Sequence, residues 1–449
     1  MLWTSLAWAA PGPGPTDPFA LPAEVARLDN GLVVLLLEDH RTDTVALQID
    51  YGVGSRDEAQ GELGCAHLFE HLMFEGSRNV GENQFDEWLA AAGGENNAST
   101  DEDRTKYHET FPSGALDVAL FLESDRLGFL DAGLTDAAVA NQQDVVLQER
   151  AEGYAEPNGR DIDALSRLLY PPDHPYHHPV IGTVADIRGF QLEAVRSFWD
   201  RHYRSRNAVL VLVGNFDRAQ ALERVRYWFS DVPDRGDPVP RVTAPTPTAR
   251  PPAHGLVEDE VEERTLYLVW PGVEPKHPDM AALDLLSTVL SNGRGTRLDD
   301  RLYYSGKASS VGTWTWNSDL AGTFGVYVAS PETPLVKLER AIEKEIAKIA
   351  AEPPSVAEVD RARQTMRAGI LGGLESPEGK ASSINYCWSL YGTPDCWTTE
   401  WKKYEAVTPA DVSRVAATWL VARAPTTLSN VPKGDAASAL PGAVAVELP

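Results

Sequence analysis

Three cysteines in 449 residues are too few for a disulfide-built scaffold, and Cys65, Cys387 and Cys396 have no zinc-framework spacing. No apolar run reaches the roughly 18 residues that a membrane-spanning helix needs. Basic residues are also short, 40 against 66 acidic, and the net charge of −26 argues against nucleic acid as a partner. That negative field could draw in cationic peptides or simply keep the chain soluble. A full signal peptide is missing too: Met1 to Ala10 is a short apolar run closing in Ala7-Trp8-Ala9, with no basic start, ahead of Pro-Gly repeats. It reads as the remnant of an export signal, which suggests a periplasmic or secreted protein, and otherwise a cytoplasmic one. Cys387 and Cys396 are close enough in sequence to bridge in an oxidising compartment, or else they are chance thiols.

What is present is a chain long enough for two or three domains, with 43% hydrophobic residues. It is organised around Cys65-Ala-His-Leu-Phe-Glu-His-Leu-Met-Phe-Glu-Gly76. Wound as a helix, this stretch puts His67, Glu70, His71 and Phe74 on one side and Leu68, Phe69, Leu72 and Met73 on the other. Cys65 falls on the apolar side, as a core thiol. Imidazoles at i and i+4 are neighbours on a helix and can share one zinc ion, with Glu70 beside it for a bound water. H-x-x-E-H is the inverted zinc-peptidase order. By itself the pattern also fits two half-buried histidines and a solvated glutamate.

The motif extends from Gly64 to Ser77, is preceded by Tyr51-Gly-Val-Gly-Ser-Arg-Asp-Glu58 and is followed by Gly93-Gly-Glu-Asn-Asn-Ala-Ser-Thr100. This run resembles the pitrilysin/insulinase family of zinc peptidases, in particular its short bacterial and mitochondrial-processing-type members, over about residues 25 to 430. The resemblance implies an α+β fold of two homologous domains, each a mostly antiparallel mixed sheet with helices packed on it, together forming half of a clamshell. It implies a metalloendopeptidase with one Zn2+ per chain, cleaving peptides or unfolded polypeptides, in which Glu70 takes a proton from a zinc-bound water. The competing expectation is a pitrilysin-fold subunit that binds peptides without cleaving them. It also implies a homodimer, or a heterodimer with a homologous subunit.

A third zinc ligand is needed. Aligned on Val145-Val-Leu147, the resemblance assigns it to Glu149, with Glu152, one turn on, as runner-up. Gln142 stands where the family usually has a supporting carboxylate, so an amide without charge is expected to hydrogen-bond there. Asn97 and Ala98 match a family sheet edge on which an extended substrate is laid by strand addition. Arg297 and Tyr304 match a pair contacting the substrate carbonyl region; seven residues apart, they would share one helical face, with Arg301 and Tyr303 as neighbours of similar chemistry. His174, His177 and His178 lie in a proline-punctuated loop and are expected to be structural.

The remaining pattern predicts strands at 31–37, 44–51, 97–100, 105–108 and 208–214, and helices at 84–92, 136–156 and 192–203. It predicts an echo of this order in strands at 265–270, 310–316 and 322–329 and helices at 280–290 and 335–351. The expected organisation is a leader at 1–20, a zinc-binding domain at 21–235, a Pro/Thr/Ala-rich linker at 236–254, a second domain at 255–435 and a tail at 436–449.

Overall fold

The computed structural model describes residues 17–238, 240–243 and 253–448. Residues 1–16, and with them most of the expected leader, lie outside that range, as do Val239 and residues 244–252 of the expected linker.

Two six-stranded sheets form the frame. The first has the order β1-β2-β6-β3-β5-β4, from β1 (Glu24–Arg27), β2 (Val33–Glu38), β3 (Thr44–Tyr51), β4 (Glu95–Thr100), β5 (Thr105–Pro112) and β6 (Ala208–Gly214). The second has the order β12-β7-β11-β8-β10-β9, from β7 (His254–Asp259), β8 (Arg264–Pro271), β9 (Ser310–Asn317), β10 (Gly322–Ser330), β11 (Thr426–Pro432) and β12 (Val444–Ala445). Strands β2 to β6 and β7 to β11 occupy matching places, so the echo in the sequence is a repeated topology. Pairing is antiparallel except at β2–β6, β7–β11 and β7–β12. The last of these uses residues 444–445, which add an edge strand to the second sheet.

Strict alternation in β2, β3 and β6 divides their apolar side chains between two cores. Val34, Leu36, Val45, Leu47, Ile49, Leu210 and Leu212 face the helices of the first half. Val33, Leu35, Ala46, Val211 and Val213 face the opposite way, onto Ala381 and Ile384 of the helix Pro377–Tyr391. That helix comes from the second half of the sequence. In return, Ala164 and Leu165 of the helix Asp161–Leu169 pack on Val257, Val269 and Leu428 of the second sheet.

Each half thus covers the outer face of the other's sheet, which is why β2 and β6 are apolar on both sides, while β3 keeps Gln48 and Asp50 on its second face. Polar contacts fix the exchange. Lys380 pairs with Asp39, Ser382 Oγ donates to Gln48 Oε1 at 3.0 Å, and Asn430 Nδ2 donates to Asp161 Oδ1 at 2.7 Å. A buried cluster joins the halves at one end, where Arg56 lies 2.9 Å from Asp103 and 3.3 Å from Asp319. Phe19, ahead of β1, stacks on Trp401 in the second core, with ring centres 5.1 Å apart.

Candidate metal centre

The helix Cys65–Leu72 begins at Gly64, whose φ of +96° suits glycine. A Cβ there would also meet the Ile181 carbonyl oxygen at 2.6 Å. The first N–H groups of the helix are satisfied by a buried carboxylate: Gly64 N and Ala66 N donate to Glu58 at 2.9 and 2.8 Å. Burial pushes the Glu58 carboxyl up, against the lowering effect of those two bonds. Below the helix, Leu68, Phe69 and Leu72 are fully buried, and the Tyr107 hydroxyl donates to the Phe69 carbonyl at 2.9 Å. Cys65 is buried in the same core. The apolar side of the stretch therefore anchors the helix and turns His67, Glu70 and His71 outward.

Opposite them runs the helix Asp136–Ala155, capped by the Thr135 side chain on Ala138 N. Glu149 projects from it between the two imidazoles. Its Oε1 lies 3.6 Å from His67 Nε2, and its Oε2 lies 3.2 Å from His71 Nε2. Zinc ligands at 2.0–2.2 Å in tetrahedral array stand about 3.4 Å apart, so both separations suit a shared ion. One nitrogen from each histidine and one oxygen from Glu149 all lie within 4.8 Å of one another, the sole such cluster among the described residues. Hydrogen bonding to His67, then to His71, holds the Glu149 carboxyl well below the usual carboxylate range. The Glu149 side chain is 50% exposed while His67 is 12% exposed, so the cluster is open from one side.

Glu70 Oε2 lies 3.9 Å from His67 Nε2 and accepts a hydrogen bond from Thr100 Oγ1 at 2.7 Å. Thr100 ends β4, the free edge of the first sheet, on which Asn97 and Ala98 sit. Asn97 Oδ1 accepts from Ala98 N at 2.8 Å. Neither Thr100 nor Glu58 is singled out by sequence reasoning, although both lie in the runs flanking the motif.

The other expected residues have partners of their own. Glu152 accepts from Gln148 Nε2 at 2.6 Å and is outside the cluster. Gln142 is buried and bonds Glu75, so its amide meets a carboxylate of the motif's far end. Arg297 pairs with Glu358 at 2.8 Å, and Tyr304 is half-exposed beside Tyr303. The residues between them form a π-helix, Asp299–Tyr303, with Tyr304 N bonded to the Asp299 carbonyl. Among the described residues, no hydrogen bond or ion pair links Arg297 or Tyr304 to His67, Glu70, His71 or Glu149. In the histidine loop, His174 Nδ1 accepts from Tyr176 N at 3.0 Å and His178 Nδ1 lies 3.3 Å from the Pro179 carbonyl, which are structural contacts.

Residues 33–182 match the family described as Insulinase (Peptidase family M16), and residues 189–366 match its companion, the Peptidase M16 inactive domain. The chain belongs to the insulinase (M16) peptidase family. The metal-type cluster falls wholly within the first match. A relative named zinc protease PqqE, from Helicobacter pylori, is 28% identical over 79% of this chain and 80% of its own length. A solved protease from the same organism superposes with a TM-score of 0.81 at 25% identity, covering 91% of this chain and 99% of that one. The first half of the periplasmic protease PqqL from Escherichia coli shares the fold, with a TM-score of 0.76 at 20% identity over 93% and 94% of the two chains.

Proposed function

We propose that this M16 chain is a zinc-dependent metalloendopeptidase that hydrolyses peptide bonds in peptides or unfolded polypeptides. The observation that carries the proposal is the position of Glu149, with one oxygen toward each of the two Nε2 atoms of the HxxEH helix. His67, His71 and Glu149 hold one ion, and zinc suits two imidazoles and a carboxylate with an open side. When bound, zinc supplies Lewis acidity, polarising a carbonyl and bringing the pKa of a water toward about 7.

Glu70 is the general base. Thr100 occupies its Oε2, and no hydrogen bond among the described residues goes to its Oε1, which is left to take the proton and return it to the leaving nitrogen. Substrate backbone pairs with the free edge of β4 around Asn97 and Ala98, which favours extended chains over folded ones. A subunit that only binds peptide has no use for this set of three donors and a base.

Arg297 and Tyr304 assist at the carbonyl oxygen from a second chain, a copy of this one or a homologous subunit. The pairing of Arg297 with Glu358 rather than with any metal residue of its own chain, and the half-exposed state of Tyr304, support that arrangement. We further propose a periplasmic or secreted location. The disulfide Cys387–Cys396 supports an oxidising compartment.

The test is cleavage of an unstructured peptide, with zinc content measured in parallel, for the wild type and Glu70→Gln. The proposal expects equal zinc in both and turnover only in the wild type. Turnover retained by Glu70→Gln, or no cleavage by the zinc-loaded wild type, contradicts it.

A further inference from the structure

The residues of β4 that face inward are tied, one after another, to the helices beneath. Asn96 Nδ2 donates to Asp86 Oδ1 at 2.8 Å, on the helix Gln84–Ala91. Ala98 packs on the first core. Thr100 Oγ1 donates to Glu70 Oε2 at 2.7 Å. Because side chains alternate along a strand, these three share one face, and the backbone edge projects beside them. One rigid element therefore carries both the free edge and the group that fixes the Glu70 carboxylate.

We infer that Thr100 is a positioning residue for Glu70, coupling the substrate-docking strand to the general base. The inference rests on the function proposed above. A carboxylate on a two-carbon stem has several rotamers, and only some of them aim it beside the metal position. The Thr100 hydroxyl selects one by engaging Oε2, the oxygen nearer His67. The β-branched side chain of Thr100 is itself stiff at χ1, so the hydroxyl is delivered at low entropic cost. A one-residue slip of β4 against β5, where Thr100 lies opposite Thr105, would turn this hydroxyl away from Glu70. The role thus depends on strand register as well as on residue type. Peptide pairing along the same strand then presents its carbonyl to a base already held in place.

The test uses the full-length, zinc-loaded chain. Thr100→Val keeps the shape and β propensity but deletes the hydroxyl, and Thr100→Ser restores a donor. For Thr100→Val we expect kcat to fall roughly 10- to 100-fold, a share of what a positioned general base contributes. KM, zinc per chain and peptide affinity by fluorescence anisotropy should stay within about twofold of the wild type, and Thr100→Ser should recover most of kcat. The inference is overturned if Thr100→Val keeps wild-type kcat, if Thr100→Ser fails to recover it, or if the loss tracks zinc release or weaker peptide binding. Turnover in Glu70→Gln would instead defeat the underlying assignment of the base, so the two failures are distinguishable.

Discussion

The Glu58 carboxylate accepts the N–H of Ala66 at 2.8 Å, so the helix that carries both histidines starts on a buried acid. The same carboxylate takes Gly64 N. In Glu58→Ala both N–H groups lose their partner in a dry setting, at a cost of about 2–4 kcal/mol. The expected result is a lower Tm together with weaker zinc retention, because the helix start sets the direction of His67. A Tm equal to that of the wild type would show that the cap is dispensable.

His67→Ala and Glu149→Gln should each release zinc, since a set of three donors has none to spare. Metal analysis after dialysis checks this. Glu152→Gln, one turn away and bonded to Gln148, should keep its zinc.

Chains carrying Glu70→Gln and chains carrying Arg297→Ala should each be inactive or nearly so, yet a mixture should regain activity if Arg297 serves the partner's site. Activity of the confirmed mixed dimer is the measurement. Absence of any recovery there would place Arg297 in a structural role with Glu358, its present partner.

Stability should fall in mild acid through His202. This side chain is buried against Phe198, with rings 4.6 Å apart, and burial lowers its pKa from 6.5 to about 4. The unfolded chain therefore binds the proton more readily, so this contribution is complete above about pH 6.5 and is lost as the pH falls toward 4, by up to about 3 kcal/mol. Urea melts of the wild type and His202→Gln across that window should converge at low pH. Parallel curves would contradict the assignment.

Much of this was legible in the sequence, for physical reasons that differ between residues. His67 and His71 declare themselves because one helical turn brings their rings together, and the apolar residues between them fix which side is buried. Glu149 is separated from them by a long stretch of chain, and only family resemblance points to it. The strands at 44–51 and 208–214 were visible as apolar runs. Why β3 is buried on both faces was not visible, since its second cover comes from the helix Pro377–Tyr391 and is held by Lys380 on Asp39. The partner of Gln142 is not legible either, since its bond to Glu75 depends on how the helix Asp136–Ala155 lies against the turn that follows the histidine helix. The π-turn at Asp299–Tyr303 leaves no mark in residue spacing.

The account turns on one ion held by His67, His71 and Glu149, and the most direct measurement is an anomalous difference map recorded at the zinc edge from crystals of the zinc-loaded chain. The account predicts a single strong peak per chain, about 2.0–2.2 Å from His67 Nε2, His71 Nε2 and a Glu149 oxygen. A peak at other residues, or none at these three, would contradict it.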